Sequence, residues 1–185
     1  MNEFRIESES DYLAATYGIM DTRYGICDLL NFQGLTGKGV EVRGLGRNQP
    51  AQYAKHILDN WKGTLYLVDP WPVDNDVDYI NSRDMREATE VLRGVEDRGI
   101  MIRAFSHQAI ELFQDESLDF VHLDGDHSYE GAKQDIELWF HKVKKGGLVS
   151  GHNYIRTSQD WFDDIHFHPN KKDKFIYFRD EYVGE

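Results

Sequence analysis

The chain has 185 residues, of which 40% are hydrophobic and 13% aromatic, so it is long and apolar enough to bury one well-packed core. Its formal net charge of -12 disfavours nucleic acid as a partner, because affinity for a phosphate backbone depends on Lys and Arg. Cys27 is the only cysteine, which excludes an intrachain disulfide and Cys-rich zinc sites and favours a reducing, cytoplasmic location. The sequence shows no signal-peptide pattern and no apolar stretch of about 18 residues, so we expect neither secretion nor a membrane partner.

The predicted elements begin before the sheet. Residues 11–30 favour one or two helices, and their expected contacts to the sheet are Leu13, Ile26, Leu29 and Leu30. From Gly39 onward, short apolar segments alternate with helical patterns, which is typical of repeated βαβ units. The predicted buried strands span residues 40–42, 64–68, 100–104, 118–123 and 148–150. This order predicts an α/β fold with a mostly parallel sheet.

Two helices between these strands have clear patterns. One follows Pro50 and carries Ala51, Ala54 and Leu58 on one face. The clearer one spans residues 130–143, in which apolar side chains recur at helical spacing: Ala132, Ile136, Trp139, Phe140 and Val143. We expect Gly146 and Gly147 to end this helix.

The C-terminal part of the chain favours β structure. Pro169-Asn170 is a turn signal, and the following residues 174–179 are rich in aromatic and β-branched side chains. We therefore expect a terminal antiparallel hairpin. The chain has no internal repeat and no linker composition, which predicts a single domain.

Ligands of an open parallel sheet bind outside the carboxyl ends of its strands, so the residues at those ends are functional candidates. At the first strand, Glu41 precedes Gly44 and Gly46, whose missing side chains allow the backbone to approach a ligand. A plain tight turn explains these glycines equally well. Asp69 ends the second strand about 20 residues further on, where a carboxylate can accept hydrogen bonds from both hydroxyls of a ribose. The alternative is that Asp69-Pro70 only starts a turn.

The third predicted strand ends in the segment Arg103-Ala104-Phe105-Ser106. Its backbone N–H groups and the small Ser106 side chain are suited to lining an adenine. Ser106 is interpreted equally well as the N-cap of a helix that starts near Gln108.

The strongest signal follows the fourth and fifth strands. Asp124, Asp126 and His127 end the fourth strand, and His152 and Asn153 end the fifth. Such a cluster of oxygen and nitrogen donors is suited to Mg²⁺ or a similar cation, which lowers the pKa of a substrate hydroxyl. In the structural alternative, Asp126 or Ser128 caps the next helix and Glu130 favours its positive end. The remaining histidines are interpreted as structural or surface residues: His56, His107, His122, His141, His166 and His168.

One segment also carries a family resemblance. Residues 118–131 read LDFVHLDGDHSYEG and are followed by Gly146-Gly147 and by Gly151-His152-Asn153-Tyr154. This resembles the class I S-adenosylmethionine (SAM) methyltransferases, specifically the small group whose fourth strand ends in Asp-Gly-Asp-His-Ser-Tyr-Glu-Gly, related to the macrocin and catechol types of O-methyltransferase. The match runs over about residues 40–154.

The resemblance implies a Rossmann-like three-layer sandwich with a seven-stranded, mostly parallel sheet and a C-terminal antiparallel hairpin. It implies one methyltransferase-like domain over residues 1–185. Within it, residues 1–38 form a helical cover, residues 39–154 the SAM-binding core and residues 155–185 the hairpin.

The resemblance also assigns roles for SAM. Glu41 and the loop with Gly44 and Gly46 would hold its amino-acid end, and Asp69 would hold its ribose. Ala104 and Ser106 would line the adenine, Trp71 would pack on a ring, and Asp124 would complete the cofactor site. One departure is Arg43, which stands where the family pattern has a glycine.

For catalysis, the resemblance makes Asp126 the general base and places a divalent cation on Asp124, His152 and Asn153. In our working hypothesis either Asp126 or His127 removes the proton. The relatives usually carry an aspartate where this chain has Asn153, so one anionic ligand is replaced by a neutral amide.

The expected function is transfer of the SAM methyl group to an oxygen of a small polar molecule such as a sugar. Only about 30 residues follow His152, so the acceptor pocket is expected to be open or completed by a second copy in a homo-oligomer. Two alternatives stay open. One is a catalytically inactive binding module with the same fold. The other is a metal-dependent hydrolase or hydroxylase that uses Asp124, Asp126, His127 and His152.

Overall fold

The computed structural model describes residues 25–43, 51–71, 78–126, 128–152 and 174–178. The strands are β1 Lys38–Arg43, β2 Thr64–Asp69, β3 Gly99–Arg103, β4 Leu118–Asp124, β5 Val143–His152 and β6 Lys174–Phe178. The helices are α1 Ile26–Phe32, α2 Gln52–Asn60, α3 Asp78–Val91, α4 Ser106–Ala109 and α5 Tyr129–Phe140, with a short 3-10 helix at Ile110–Leu112. No helix in these described ranges is long and apolar enough to cross a membrane.

The strands form one sheet in the order β3-β2-β1-β4-β5-β6. The first five are parallel, as the alternation of strands and helices predicts. Strand β6 pairs antiparallel with β5, with Ser150 opposite Ile176. The expected seventh strand and the expected turn at Pro169-Asn170 fall outside the described residues.

Helices cover both faces of the sheet and divide the core in two. On one face, α1, α2 and α3 pack on strand residues such as Leu65, Leu67 and Phe120. On the other face, α4 and α5 pack on Val42, Val68 and other strand residues. The five parallel strands therefore lie between two apolar layers, which is the burial expected of a parallel sheet. The result is a mixed α/β, Rossmann-like sandwich.

The first helix confirms part of the expected N-terminal cover. Ile26, Leu29 and Leu30 of α1 are buried in the first core layer, as their pattern predicts. Leu13 lies outside the described residues. The apolar face of α2 is likewise confirmed by the burial of Ala54 and Leu58. The sequence pattern does not single out helix α3, because its few apolar residues make a weak periodic pattern.

The expected end of the clearest helix is wrong. Helix α5 ends at Phe140, and Val143 begins β5, where it pairs with Leu118. Gly146 and Gly147 therefore lie inside a strand. Between Val143 and Leu148 the β5 backbone bulges opposite Asp119. This bulge brings the Nζ atom of Lys144 within 2.7 Å of the buried Asp119 carboxylate.

The two glycines of this bulge meet different surroundings. Gly146 has φ of +71°, a left-handed conformation that glycine adopts without strain. A Cβ atom on Gly147 would lie 2.6 Å from Val143 Cγ1 and 2.7 Å from the Asp119 carbonyl oxygen. Because one of these neighbours is backbone, rotation of a side chain cannot relieve the overlap. Gly147 is therefore required for the close approach of β5 to β4.

We expect Gly147→Ala to lower the free energy of unfolding by about 1–3 kcal/mol, since the added methyl overpacks a buried strand contact. Urea denaturation followed by circular dichroism measures this change. Gly146→Asn is the matched control, because Asn tolerates a left-handed backbone and a Cβ atom at this position would have no neighbour within 4 Å. Equal stability of Gly147→Ala and the parent chain would contradict the assigned contact.

Candidate functional site

The strand order reverses between β1 and β4. Open α/β sheets commonly bind ligands at the carboxyl edge beside such a switch point. The register pairs Val42 with Val68 on one side and Arg43 with Asp124 on the other. Strands β2 and β4 therefore bring Asp69 and Asp124 to the same edge of the sheet as Arg43, and Glu41 lies two residues before the end of β1. Three acidic residues thus lie at or near this edge, of which Glu41 and Asp69 are buried.

Arg43 joins two of these acids. Its Nη1 atom lies 3.8 Å from Oε1 of Glu41, and its Nε atom lies 3.8 Å from Oδ2 of Asp69. The Arg43 side chain is 12% exposed, and the two carboxylates are more deeply buried. At these distances the contacts are ion pairs without direct hydrogen bonds, so most of their attraction is Coulombic.

Asp69 also organises the turn after β2. Its Oδ1 atom accepts a hydrogen bond of 2.8 Å from the backbone N–H of Trp71, which adopts φ of +34°. Arg103, at the end of β3, donates from Nη2 to the Trp71 carbonyl at 2.9 Å. The interpretation of Asp69-Pro70 as the start of a turn is thus confirmed. The Trp71 N–H engages Oδ1, whereas Oδ2 faces Arg43.

Burial perturbs the ionisation of Asp69. Desolvation raises the pKa of this carboxyl from 3.8 to about 6. The Trp71 N–H and the Arg43 guanidinium lower the pKa, whereas Asp84 on α3 raises it. Asp69 is therefore ionised at neutral pH and becomes protonated under mildly acidic conditions.

The turn after β3 is bonded within the protein. The N–H of Ala104 donates to the Asp69 carbonyl at 3.1 Å, and the N–H of Phe105 donates to Oε1 of Gln108 at 3.1 Å. Phe105 is the N-cap of α4, so the interpretation of Ser106 as N-cap is wrong. The reason is that the Ser106 hydroxyl is engaged elsewhere.

The Ser106 hydroxyl lies in a hydrogen-bonded chain with α5. It accepts from Nε1 of Trp139 at 2.8 Å and donates to Oδ1 of Asp135. Oδ2 of Asp135 lies against Gly125, where a Cβ atom would be only 2.7 Å away. Burial raises the pKa of Asp135, and the hydrogen bond from Ser106 opposes this shift. One carboxylate thus links the turn after β3 to the turn after β4.

The turn after β4 contains the predicted general base. Oδ1 of Asp126 accepts from the N–H of Ser128 at 2.8 Å, and the Ser128 hydroxyl accepts from the N–H of Gly131 at 3.1 Å. Ser128 is thus the N-cap of α5, which confirms that part of the structural alternative. Asp126 is exposed, so its carboxylate remains accessible to a ligand.

A second buried polar group lies beneath this edge. Glu41 is opposite His122 in the register of β1 and β4, and His122 is opposite Ser150 of β5. Nδ1 of His122 lies 3.0 Å from Oγ of Ser150, and the His122 ring packs on Tyr53 with centroids 4.7 Å apart. The interpretation of His122 as a structural residue fits this burial. Its neighbour in the register is Glu41, which is a predicted cofactor residue.

Several predicted residues are not described. Gly44, Gly46, His127 and Asn153 lie outside the described residues, and for His152 only the backbone position in β5 is given. Within the described part of the chain, no group of three or more His, Cys, Asp or Glu side chains is arranged to hold a metal ion. Asp124 stands at the end of β4, as expected.

Asp135 is absent from the sequence-based candidates, and Arg103 is among them only as part of the segment after the third strand, without a role of its own. Asp135 is an acid on the same helical face as Trp139, four residues later, and this interruption of an apolar face was the available signal. Arg103 follows the apolar part of β3 but has no distinctive motif. Its contact with the turn after β2 depends on sheet order, which the sequence pattern does not reveal.

Comparison with known proteins gives a family and a fold. A family model described as a methyltransferase domain matches residues 44–154. No curated protein shows a significant match to the chain.

Among solved structures, a proposed methylase from Haemophilus influenzae is 12% identical, with a TM-score of 0.58 over 87% of this chain and 90% of the other. An O-methyltransferase from Bacillus cereus in complex with SAH is 16% identical, with a TM-score of 0.50 over 80% and 69% of the two chains. The chain spans only 43–68% of four other matched structures. At these identities the structures establish likeness of fold. The family model covers more than half of the chain, and the protein therefore belongs to the methyltransferase-domain family.

Proposed function

We propose that this protein is a SAM-dependent methyltransferase that transfers a methyl group to an oxygen of a small polar molecule. The observation that carries the proposal is the placement of Glu41, Asp69 and Asp124 on three adjacent strands at the switch point of the sheet. SAM carries a sulfonium, an ammonium group and two ribose hydroxyls. Carboxylates are suited to each of these groups, as counter-ions or as hydrogen-bond acceptors.

Each acid has a distinct place in the proposed complex. Asp69 would accept hydrogen bonds from the ribose, with its orientation set by the bond from the Trp71 N–H. Glu41 and the loop containing Gly44 and Gly46 would hold the amino-acid end, and Asp124 would complete the edge. Trp71 is 6% exposed and is separated from Asp69 only by Pro70, so it is suited to packing beside the cofactor.

The adenine would lie near the turn after β3. Because the N–H groups of Ala104 and Phe105 are already bonded, the Ser106 hydroxyl is the more suitable contact there. This hydroxyl donates to Asp135 and accepts from Trp139, which leaves one lone pair to accept from the adenine amino group.

Bound SAM supplies a methyl group already activated by its positively charged sulfur. The work of the chain is therefore to align the acceptor and to remove its proton. Asp126 is suited to the second task, because its carboxylate is exposed and is oriented by the Ser128 N–H. His127 remains an alternative base in the proposal.

We assign no step to a metal ion. Asp124 contributes one carboxylate, and the other proposed ligands are the His152 side chain and Asn153. No other described His, Cys, Asp or Glu side chains gather around Asp124 into a group of three. The donor set for a divalent cation is therefore not assembled by the described residues.

The proposal extends to the rest of the chain. It treats residues 1–185 as one domain, with β6 and one further strand forming the antiparallel end of a seven-stranded sheet. It also includes a cytoplasmic location and an acceptor pocket that is open or completed by a second copy. The buried Cys27 is consistent with a reducing compartment, since its thiol has no disulfide partner in the chain.

The first prediction concerns the cofactor. Isothermal titration calorimetry of the full chain at pH 8 is expected to show binding of SAM and of its demethylated product, S-adenosylhomocysteine (SAH). Methyl-labelled SAM should then label a small polar compound, such as a sugar, in a screen of acceptors. Absence of heat with both nucleosides favours the inactive-module alternative, and SAM-independent hydrolysis favours the hydrolase. Labelling of proteins alone would contradict the small-molecule acceptor.

The second prediction separates the binding role of Asp69 from its effect on stability. Asp69→Asn is expected to weaken SAM binding by about 10- to 100-fold, because a hydrogen bond to a charged acceptor contributes about 1.5–3 kcal/mol. The folded-state pKa lies above the unfolded value, so the folded protein holds the extra proton between pH 4 and about 6. Stability from this group is thus lost as pH rises through that range.

Asp69→Asn should therefore be more stable than the parent chain at pH 8, by as much as about 3 kcal/mol. Urea denaturation at pH 4 and pH 8 measures the free energy of unfolding of both proteins. The other carboxylates contribute equally to both, so they cancel in the difference between variant and parent. A variant that binds SAM normally, or that is less stable than the parent at pH 8 only, would contradict this assignment.

The third prediction concerns proton removal. Asp126→Asn should lower kcat by about 10²- to 10⁴-fold while SAM affinity changes little, because the amide retains the acceptor for the Ser128 N–H but is not a base. Ser128→Ala is the matched control. It should lower stability by about 1 kcal/mol through loss of the helix cap and leave the chemical step largely intact. Unchanged kcat in Asp126→Asn would exclude Asp126 and leave His127 as the base.

A further inference from the structure

We propose that Arg43 determines the cofactor preference of this site by competing with the positively charged sulfur of SAM. The inference rests on the proposed function and adds a residue that weakens the binding of SAM. A single guanidinium lies within 3.8 Å of both Glu41 and Asp69, the two acids assigned to opposite ends of the cofactor. Arg43 thus pairs with the same carboxylates that the cofactor must engage.

The first consequence is direct competition. Oδ1 of Asp69 is bonded to the Trp71 N–H, and Oδ2 is the oxygen that faces Arg43. Cofactor groups that approach Oδ2 must therefore share its surroundings with the guanidinium or push it aside. The same holds at Oε1 of Glu41, which lies 3.8 Å from Nη1 of Arg43. The apparent affinity of a ligand falls in proportion to the fraction of protein whose site is free to bind it.

The second consequence is selection by charge. SAM and SAH share the adenosine and the amino acid, and they differ by the methyl group and the positive charge on sulfur. Because the amino-acid end and the ribose flank the sulfur, a cation between Glu41 and Asp69 is close to it. Like charges repel strongly in a partly buried site, so Arg43 disfavours SAM more than SAH.

The low exposure of Arg43 strengthens this effect. At 12% exposure the guanidinium is poorly screened by water. By contrast, the surface ion pairs Arg83–Glu87 and Arg93–Glu90, in and just after α3, have side chains that are 40–72% exposed. Arg43 is also held from two sides, and the partners share the cost of its burial. The arginine therefore remains near the sulfur position unless a ligand moves it to solvent.

The experiment compares SAM and SAH binding to Arg43 variants by calorimetry at pH 8, where Asp69 is ionised in the parent chain. Arg43→Met should bind SAM about tenfold more tightly, equivalent to about 1.4 kcal/mol. The gain for SAH should be about threefold or less, so the ratio of the two affinities changes. Arg43→Lys keeps the charge and should retain the ratio of the parent chain.

Two further variants make the comparison specific. Arg43→Gln is a second uncharged replacement, used alongside Arg43→Met in case the apolar side chain impairs folding. Arg93→Met removes an exposed arginine that pairs with Glu90 on α3, and it should alter neither affinity. Circular dichroism and thermal melting verify that each variant is folded.

The outcomes distinguish this inference from the proposed function. The inference is supported if the uncharged variants bind SAM more tightly than the parent chain does and gain less affinity for SAH. Arg43→Lys must also keep the ratio of the two affinities found in the parent chain. Equal gains for both nucleosides, no gain, or weaker SAM binding in the folded uncharged variants would overturn it while leaving SAM binding by the parent chain intact. If neither the parent nor any variant binds SAM or SAH, the proposed function and this inference both fail.

Discussion

The parallel register of β1 between β2 and β4 is the constraint on which the candidate site depends. It sets Arg43 beside Asp124 and Val42 beside Val68 at one edge of the sheet. A shift of one residue in β1 would exchange its two faces, so Glu41 would enter the apolar layer that holds Val40 and Val42. The packing of the apolar core therefore fixes the positions of the acids on these strands. Direct contacts between the acids are not needed to bring them together.

The acidic edge is built at an electrostatic cost. Glu41 and Asp69 are both buried, and the raised pKa of Asp69 reports that its charge is poorly solvated. Arg43 offsets part of this cost within the protein. The same reasoning applies one layer below, where His122 and Ser150 satisfy part of each other's hydrogen bonding beside Glu41. Sites that bind cations commonly keep such unfavourable charge for the ligand to neutralise.

Much of the architecture follows from the sequence pattern. Each of the five predicted parallel strands is present, because continuous apolar segments bounded by polar residues are a strong signal for buried strands. The end of α5 was mispredicted, because Val143 fits the spacing of the helix equally well and only its pairing with Leu118 decides the matter. Helix periodicity does not carry that information.

The candidate site was predictable in a more limited way. Asp69 and Asp124 each stand at the end of a strand, and β1 lies between those two strands. Their placement at one edge of the sheet follows from these positions together with the topology of the fold. The Ser106 hydroxyl was expected to cap its own helix, but it instead joins Asp135 and Trp139, about 30 residues later. The pairing of Arg43 with both acids was also not predicted. Such long-range side-chain contacts depend on packing geometry and have no local pattern.

The carboxylate of Asp135 has a mechanical consequence for this edge of the sheet. It holds Ser106 through a hydrogen bond and abuts Gly125, although β3 and β4 are separated by two other strands. Movement of the turn after β3 would break the bond from Ser106, and movement of either turn would uncover a buried acid. The spacing of the two turns is thus tied to one carboxylate, which favours a preformed width for a molecule that binds there.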